Sequence, residues 1–443
     1  MLTKDDNELM TRVGPGTPMG DLLRQYWVPA LLSSEVCADG PARKVKLLGE
    51  DLVAFRVTSG SVGMVVPNCP HRGASLHFGR NEHEGLTCVY HGWKFDTDGS
   101  CVDMPNERED SQFKDKVSVA SYPCKERNGI IWVYMGPRAD PPLLPSFEWN
   151  LSPDNPPIVW RNFRACNWMQ ALEGDIDTSH INYLHRSLNA KDLSTVPGKG
   201  MPSTASLQEL ARKDGAPRIE IEDMPFGVVY SAMRKMGEGV DYHRIHPFLF
   251  PYHTMIGSGL DKDGQLIAFN GKIWVPVDDE NTLVLEYHFR PGKPWGDEER
   301  QQMMEARNPW GFEEDRGEPG GGWKSKANAT NQYFWDYKVQ KEKLYFGVLS
   351  NPLQDSAVQE TMGAIYDRSK EHLGTADAMI IRVRRRLIDA ARALAEKGVI
   401  PPGVDEPEVY AIRPVGALLN EGADWLNETA ERRQVLNQIN SVN

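Results

Sequence analysis

The sequence predicts an α+β protein, a small antiparallel β domain followed by a larger domain of mixed helices and strands. From about residue 41 to 135 the chain falls into short β-like runs (VKLLG, LVAFRV, VGMVV, LTCVY, IIWVYMG). Turn signals at Ser59-Gly60, Asp98-Gly99 and Asn128-Gly129 separate them. A proline-rich connector, PRADPPLLPSFEWNLSPDNPP, leads out of that region. Beyond it, strand-like runs mix with helix-compatible stretches, and 443 residues exceed the usual size of one domain.

Taken in order, residues 1–40 carry apolar positions partly at helical spacing (Leu9, Met10, Val13, then Met19, Leu22, Leu23, Tyr26). They are expected as a helical segment packing on the larger domain, with 41–140 as the β domain and 141–443 as the larger one. In the latter, a helix-compatible stretch covers 167–185, and strands are expected at RIEIED, GVVYSAM, LIAFNGKIWVPV and TLVLEYHF. The charged, glycine-rich piece from 296 to 325 reads as a long, partly mobile excursion. From about 356 to 397 the pattern is helical. Met379, Ile380, Val383, Leu387, Ile388, Ala391 and Leu394 form one apolar stripe, and Gly398 and Pro401 supply the stop.

A net charge of -12 argues against nucleic acid or an anionic membrane as partner. No stretch approaches the roughly 20 apolar residues of a membrane span. The opening MLTKDDNELMTRVG lacks the apolar core of a secretion signal, so a cytoplasmic location is expected. Six cysteines are too sparse for a disulfide scaffold. Cys37, Cys101, Cys124 and Cys166 have no histidine or cysteine at ligand spacing and read as structural.

Cys69 and Cys88 are different. Cys69-Pro70-His71-Arg72-Gly73 is followed by Cys88-Val89-Tyr90-His91-Gly92-Trp93, so each of two loops carries one cysteine and one histidine. Two thiolates and two imidazoles match a Rieske [2Fe–2S] centre, in which a histidine pair replaces a cysteine pair on one iron and raises the potential. The same four side chains could bind structural zinc, although a zinc finger places its histidines together.

A second constellation runs NWMQALEGDIDTSH and ends INYLH, with the core Asp177-x-x-His180-x4-His185. Two histidines and a distant carboxylate would make the facial triad of non-haem Fe(II) oxygenases, leaving one face open to O2. On an ideal helix, residues five apart diverge by about 140°, so an irregularity is expected near Ile181–Leu184. Asp177, three residues before His180, suits a carboxylate that fixes a ligand histidine's tautomer. The third ligand stays open among Asp355, Glu360, Asp336 and Asp367, since acids at helix starts are often caps.

CPHRGASLHFGR, CVYHGWKFD, NWMQALEGDIDTSH and DRSKEHLG resemble the Rieske non-haem iron oxygenases over essentially the whole chain, most of all the oxygenase (alpha) subunit of the phthalate-dioxygenase-like group. The resemblance implies an antiparallel catalytic sheet flanked by helices. It implies Cys69, His71, Cys88 and His91 as cluster ligands, and His180, His185 and Asp355 as ligands of a mononuclear Fe(II). Asp177 then corresponds to a catalytic aspartate bridging to the neighbouring subunit's cluster in a homotrimer or a multiple of one. A separate NADH-dependent reductase with flavin would supply electrons. The expected reaction is hydroxylation, as cis-dihydroxylation, of an aromatic carboxylate such as a phthalate or substituted benzoate. O-demethylation of a methoxylated aromatic acid is the alternative, and a non-catalytic Rieske electron carrier is an alternative of another class. Arg244, in YHRIHPFLFPYHTMIG, aligns loosely with a substrate-contacting arginine; Arg234, Arg218 and Arg212 are weaker candidates.

Overall fold

Strand Glu50–Arg56 shows how the first domain is built. Its alternating residues divide between two interiors: Leu52 and Ala54 join the main core, while Val53 and Phe55 join a smaller one with Cys69, Leu76, Leu86, Cys88, Trp93 and Phe95. The period-2 alternation of a strand makes that division possible. The computed structural model describes residues 2–108, 110–188, 214–237, 239–260 and 266–435, so Arg212 lies outside the described residues.

Glu50–Arg56 lies between Arg43–Leu47 and Val62–Val65 in one antiparallel sheet. A second sheet of very short strands follows, Arg80–Asn81, Leu86–Thr87, Lys94–Phe95 and Cys101–Asp103. The third contains a correction. Trp27–Leu32, inside the segment expected to be helical, is a strand paired with Ile130–Tyr134, which also pairs with Cys124–Arg127. Its apolar run WVPALL suits a buried strand rather than an amphipathic helix. Among the described residues the α-helices there are Lys4–Thr11 and Pro18–Leu23, and both pack against the long helix Ala378–Lys397.

The second domain is organised by an antiparallel sheet in the order Ile158–Arg164, Thr282–Phe289, Leu266–Pro276, His253–Leu260, Val240–Leu249, Gly227–Gly237, Arg218–Met224. Val415–Asn420 pairs with the first half of Val240–Leu249. Helix Trp168–Ile176 packs on strand Leu266–Pro276 and on helix Asn351–Glu360, placing those two helices side by side over the sheet.

Three further expectations change. The helix expected over 167–185 ends at Ile176, because Asp177 turns extended and its carboxylate accepts the Ser179 amide at 2.7 Å. The helix expected over 356–397 is two, Asn351–Glu360 and Ala378–Lys397, separated by a stretch with Gly363 at φ 92°. The 296–325 excursion contains helix Asp297–Arg307 and is tied down further on: Trp323 O accepts the Phe163 amide, and Asp315 pairs with Arg43 at 2.6 Å. The stripe of the last helix is buried as its periodicity implies, from Met379 through Val383 and Leu387 to Ala391, and Gly398 closes it at φ 64°.

Candidate metal centres

The two Cys/His loops adopt matching turns. The Gly73 amide donates to Cys69 O and the Gly92 amide to Cys88 O, each four residues back, with both glycines at positive φ. The turns bury both thiols and bring the imidazoles together, with His71 and His91 ring centroids 4.4 Å apart. Trp93 stacks on His71 at 4.4 Å and fixes that ring. His71 Nδ1 is buried without a hydrogen-bond partner among the described residues. Burial first, then the adjacent Cys88 thiol, pushes the Cys69 thiol up to about 11 against an amide bond at His71. Thiolates in such a place call for a cationic partner. A cysteine pair beside a histidine pair fits a cluster whose two irons take different ligands.

The second site forms where helix Trp168–Ile176 ends. Asn167 caps that helix, accepting the Met169 amide, while its Nδ2 donates to Thr11 O and Asp279 O. After Ile176 the chain passes through extended Asp177 into a 3-10 turn, His180–Asn182, and on to His185. The irregularity lies mainly before His180, not only between the histidines. Helix Asn351–Glu360 carries Asp355 to the same point. His180 Nε2 and His185 Nε2 lie 3.2 Å apart, and Asp355 Oδ1 is 3.2 Å from His185 Nε2 and 4.0 Å from His180 Nε2. Among the described residues these three form the one group whose ligand atoms all lie within 4.8 Å of one another. Metal bonds of about 2.1 Å at right angles separate ligand atoms by about 3 Å; the two separations at His185 match this and the one between His180 and Asp355 is wider, so the three atoms converge on a place for one ion. Burial would raise the Asp355 carboxyl, but His185 and His180 hold it well below the usual range.

Each imidazole has a polar group behind it, within hydrogen-bond distance for His185 and at the longer range of an ion pair for His180. Asp177 Oδ2 lies 3.5 Å from His180 Nδ1, and Gln354 Oε1 lies 2.6 Å from His185 Nδ1. Burial would raise Asp177, and His180 outweighs it, keeping the carboxylate below its ordinary value. Gln354 was not among the sequence candidates; its contact spans 169 positions of chain. Glu360 instead accepts from Tyr333, Asp336 caps a helix through the Val339 amide, and Asp367 takes the Ser369 amide, so none joins the triad.

Arg244 is partly buried and donates to Thr178 Oγ1 at 3.2 Å, two residues before His180. Arg234, fully buried, reaches the same threonine through Nη2, while its Nη1 has no partner among the described residues. Neither pairs with a carboxylate among the described residues. Arg218 pairs with Glu220 on the surface, away from this cluster.

Residues 26–123 match the Rieske [2Fe-2S] domain, and residues 133–442 match the family described as LigXa C-terminal domain like. The chain therefore belongs to the Rieske non-haem iron oxygenases, enzymes whose cofactors are a Rieske [2Fe–2S] cluster and a mononuclear iron. Within them it is an oxygenase (alpha) subunit of the phthalate-dioxygenase-like group. It is 39% identical to the 3-chlorobenzoate-3,4-dioxygenase oxygenase subunit of Comamonas testosteroni, covering 98% of each chain. It is 33% identical to the phthalate 4,5-dioxygenase oxygenase subunit of Pseudomonas putida, over 100% of this chain and 98% of that one. The caffeine-bound NdmA variant of Pseudomonas putida CBB5 shares the fold, with a TM-score of 0.60 at 17% identity over 92% of this chain and 99% of that one.

Proposed function

We propose that Cys69, His71, Cys88 and His91 hold the [2Fe–2S] cluster and that His180, His185 and Asp355 hold the mononuclear iron, in a terminal oxygenase that hydroxylates an aromatic carboxylate. When bound, the cluster delivers electrons and the ferrous iron provides the place where O2 is reduced. The chain's own part is to position and to exclude. His180, His185 and Asp355 occupy one face and leave the other to substrate. Asp177 holds the far edge of His180 and is read as the bridge toward the neighbouring subunit's cluster in a head-to-tail trimer. A separate NADH-dependent reductase with flavin supplies the electrons. No helix among the described residues is long and apolar enough to cross a membrane, in keeping with a cytoplasmic enzyme.

The observation that carries the substrate class is Arg244, a cation beside the iron ligands that is bonded to a neutral threonine. An aromatic carboxylate gives it a charged partner, which no described residue supplies. Support also comes from the relatives, two of which are named for aromatic acids. The test is O2 uptake by reconstituted protein with a reductase, across substituted benzoates, phthalates and methoxybenzoates, with products identified. A cis-diol from a carboxylated ring is the expected product. Formaldehyde release would move the reading to O-demethylation, and no substrate-dependent uptake would overturn it.

A further inference from the structure

Gln354 and Asp355 are consecutive on one helix, yet they meet opposite edges of the same imidazole. Asp355 Oδ1 is 3.2 Å from His185 Nε2, and Gln354 Oε1 is 2.6 Å from His185 Nδ1. Gln354 is 2% exposed, and its Nε2 donates to Val348 O at 2.7 Å. That second bond settles the arrangement. A carbonyl only accepts, so the amide NH2 must face Val348, which leaves the amide oxygen toward His185. The ring must then carry its proton on Nδ1 and direct the Nε2 lone pair at Asp355 and His180.

The loop before the helix is shaped to present Val348 O. Gly347 sits at φ 86°, where a Cβ would meet Asp336 O at 2.6 Å, and Ser350 holds φ 73°. A non-glycine residue in that region is strained and persists only where its surroundings over-determine it. His180, by contrast, is backed by the Asp177 carboxylate. The site therefore pairs one histidine with an anion and the other with a neutral amide.

We propose that Gln354 is a positioning residue of the iron site, relaying Val348 O to His185 Nδ1 so that the His185 Nε2 lone pair is presented to the metal. The proposal rests on the assignment of His180, His185 and Asp355 as the iron ligands.

The test is metal affinity without turnover. Full-length protein with its cluster intact and the mononuclear site emptied by chelation is titrated with Co(II), followed by ligand-field absorption. Parent protein taking up one Co(II), and His180→Ala taking up none, establishes the ligand set independently. Gln354→Met keeps the volume and removes the acceptor, and Gln354→Asn keeps the amide but withdraws it from reach. Both are expected to weaken Co(II) binding about 10- to 100-fold with the cluster spectrum unchanged. Gln354→Glu retains an oxygen toward His185 but no longer donates to Val348 O, and is expected to lose less affinity than the Met and Asn variants. Parent-like affinity in the Met and Asn variants would overturn the proposal. Equal losses in Met, Asn and Glu would also overturn it, by showing that the residue serves packing alone. If the Met variant fails to fold, the contrast between Glu and Asn decides.

Discussion

Asp177 faces His180 across 3.5 Å, Oδ2 to Nδ1, at the point where helix Trp168–Ile176 has just ended. The carboxylate is anchored separately, because its other oxygen accepts the Ser179 amide at 2.7 Å. One short turn thus stops a helix, aims a carboxylate and presents the imidazole proposed as a metal ligand.

Removing that carboxylate should leave ligands intact and impair what it orients. Asp177→Ala is expected to keep cluster and mononuclear iron while losing about 10- to 100-fold in turnover. The measurement is product formed per reduced cluster in a single turnover, with iron content determined on the same sample. Normal yield would remove Asp177 from the bridging role.

Arg244 gives a prediction about charge. A hydrogen bond between charged groups contributes about 1.5–3 kcal/mol, equivalent to about 10- to 150-fold in kcat/KM. Arg244→Met is expected to lose that factor toward an aromatic carboxylate, chiefly through KM, and to change little toward the matching uncharged amide. Steady-state O2 uptake with both compounds reads the difference. Equal losses on both would assign Arg244 to holding Thr178 and the turn below it.

Stability should depend on Glu173, which joins helix Trp168–Ile176 to helix Ala378–Lys397 and to the 3-10 turn Arg368–Lys370. Its carboxylate binds Arg368 at 3.0 Å and Arg384 at 2.6 Å, both arginines being buried. Burial would raise the Glu173 pKa, but the two cations outweigh it and hold it below the usual value. A depressed carboxylate contributes stability that is present above its unfolded pKa of about 4.3 and lost as pH falls through the lower folded value. Glu173→Gln is expected to cost about 3–5 kcal/mol near neutral pH. In thermal melts the gap from parent should close below about pH 4. A gap that is constant or widens in acid would contradict this linkage.

Much of this was legible because its chemistry is local in the chain. Each cluster loop packs its cysteine, histidine and glycine into a few residues, and the Asp177–His185 stretch is equally short. Asp355 is remote, and spacing alone could not separate it from Glu360, Asp336 or Asp367; family resemblance singled it out, and the structure brings it to the histidines. Gln354 left no signal, since an amide becomes informative only when its partners are in view. The helix end at Ile176 was readable in principle: Asp-x-Ser offers the backbone a side-chain acceptor two residues back, and 3.6-residue periodicity hid it. The apolar run at Trp27–Leu32 misled for the opposite reason, because a wholly buried strand lacks alternation and resembles a buried helix.

The central claim, that one chain carries both a Rieske cluster and a separate iron, is tested most directly by counting iron and acid-labile sulfide per chain in parent and His180→Ala protein. Two cluster irons plus one more against two sulfides are expected in a red-brown parent, and His180→Ala should lose one iron with the cluster spectrum unchanged. Zinc without sulfide, or a cluster that disappears along with His180, would contradict it.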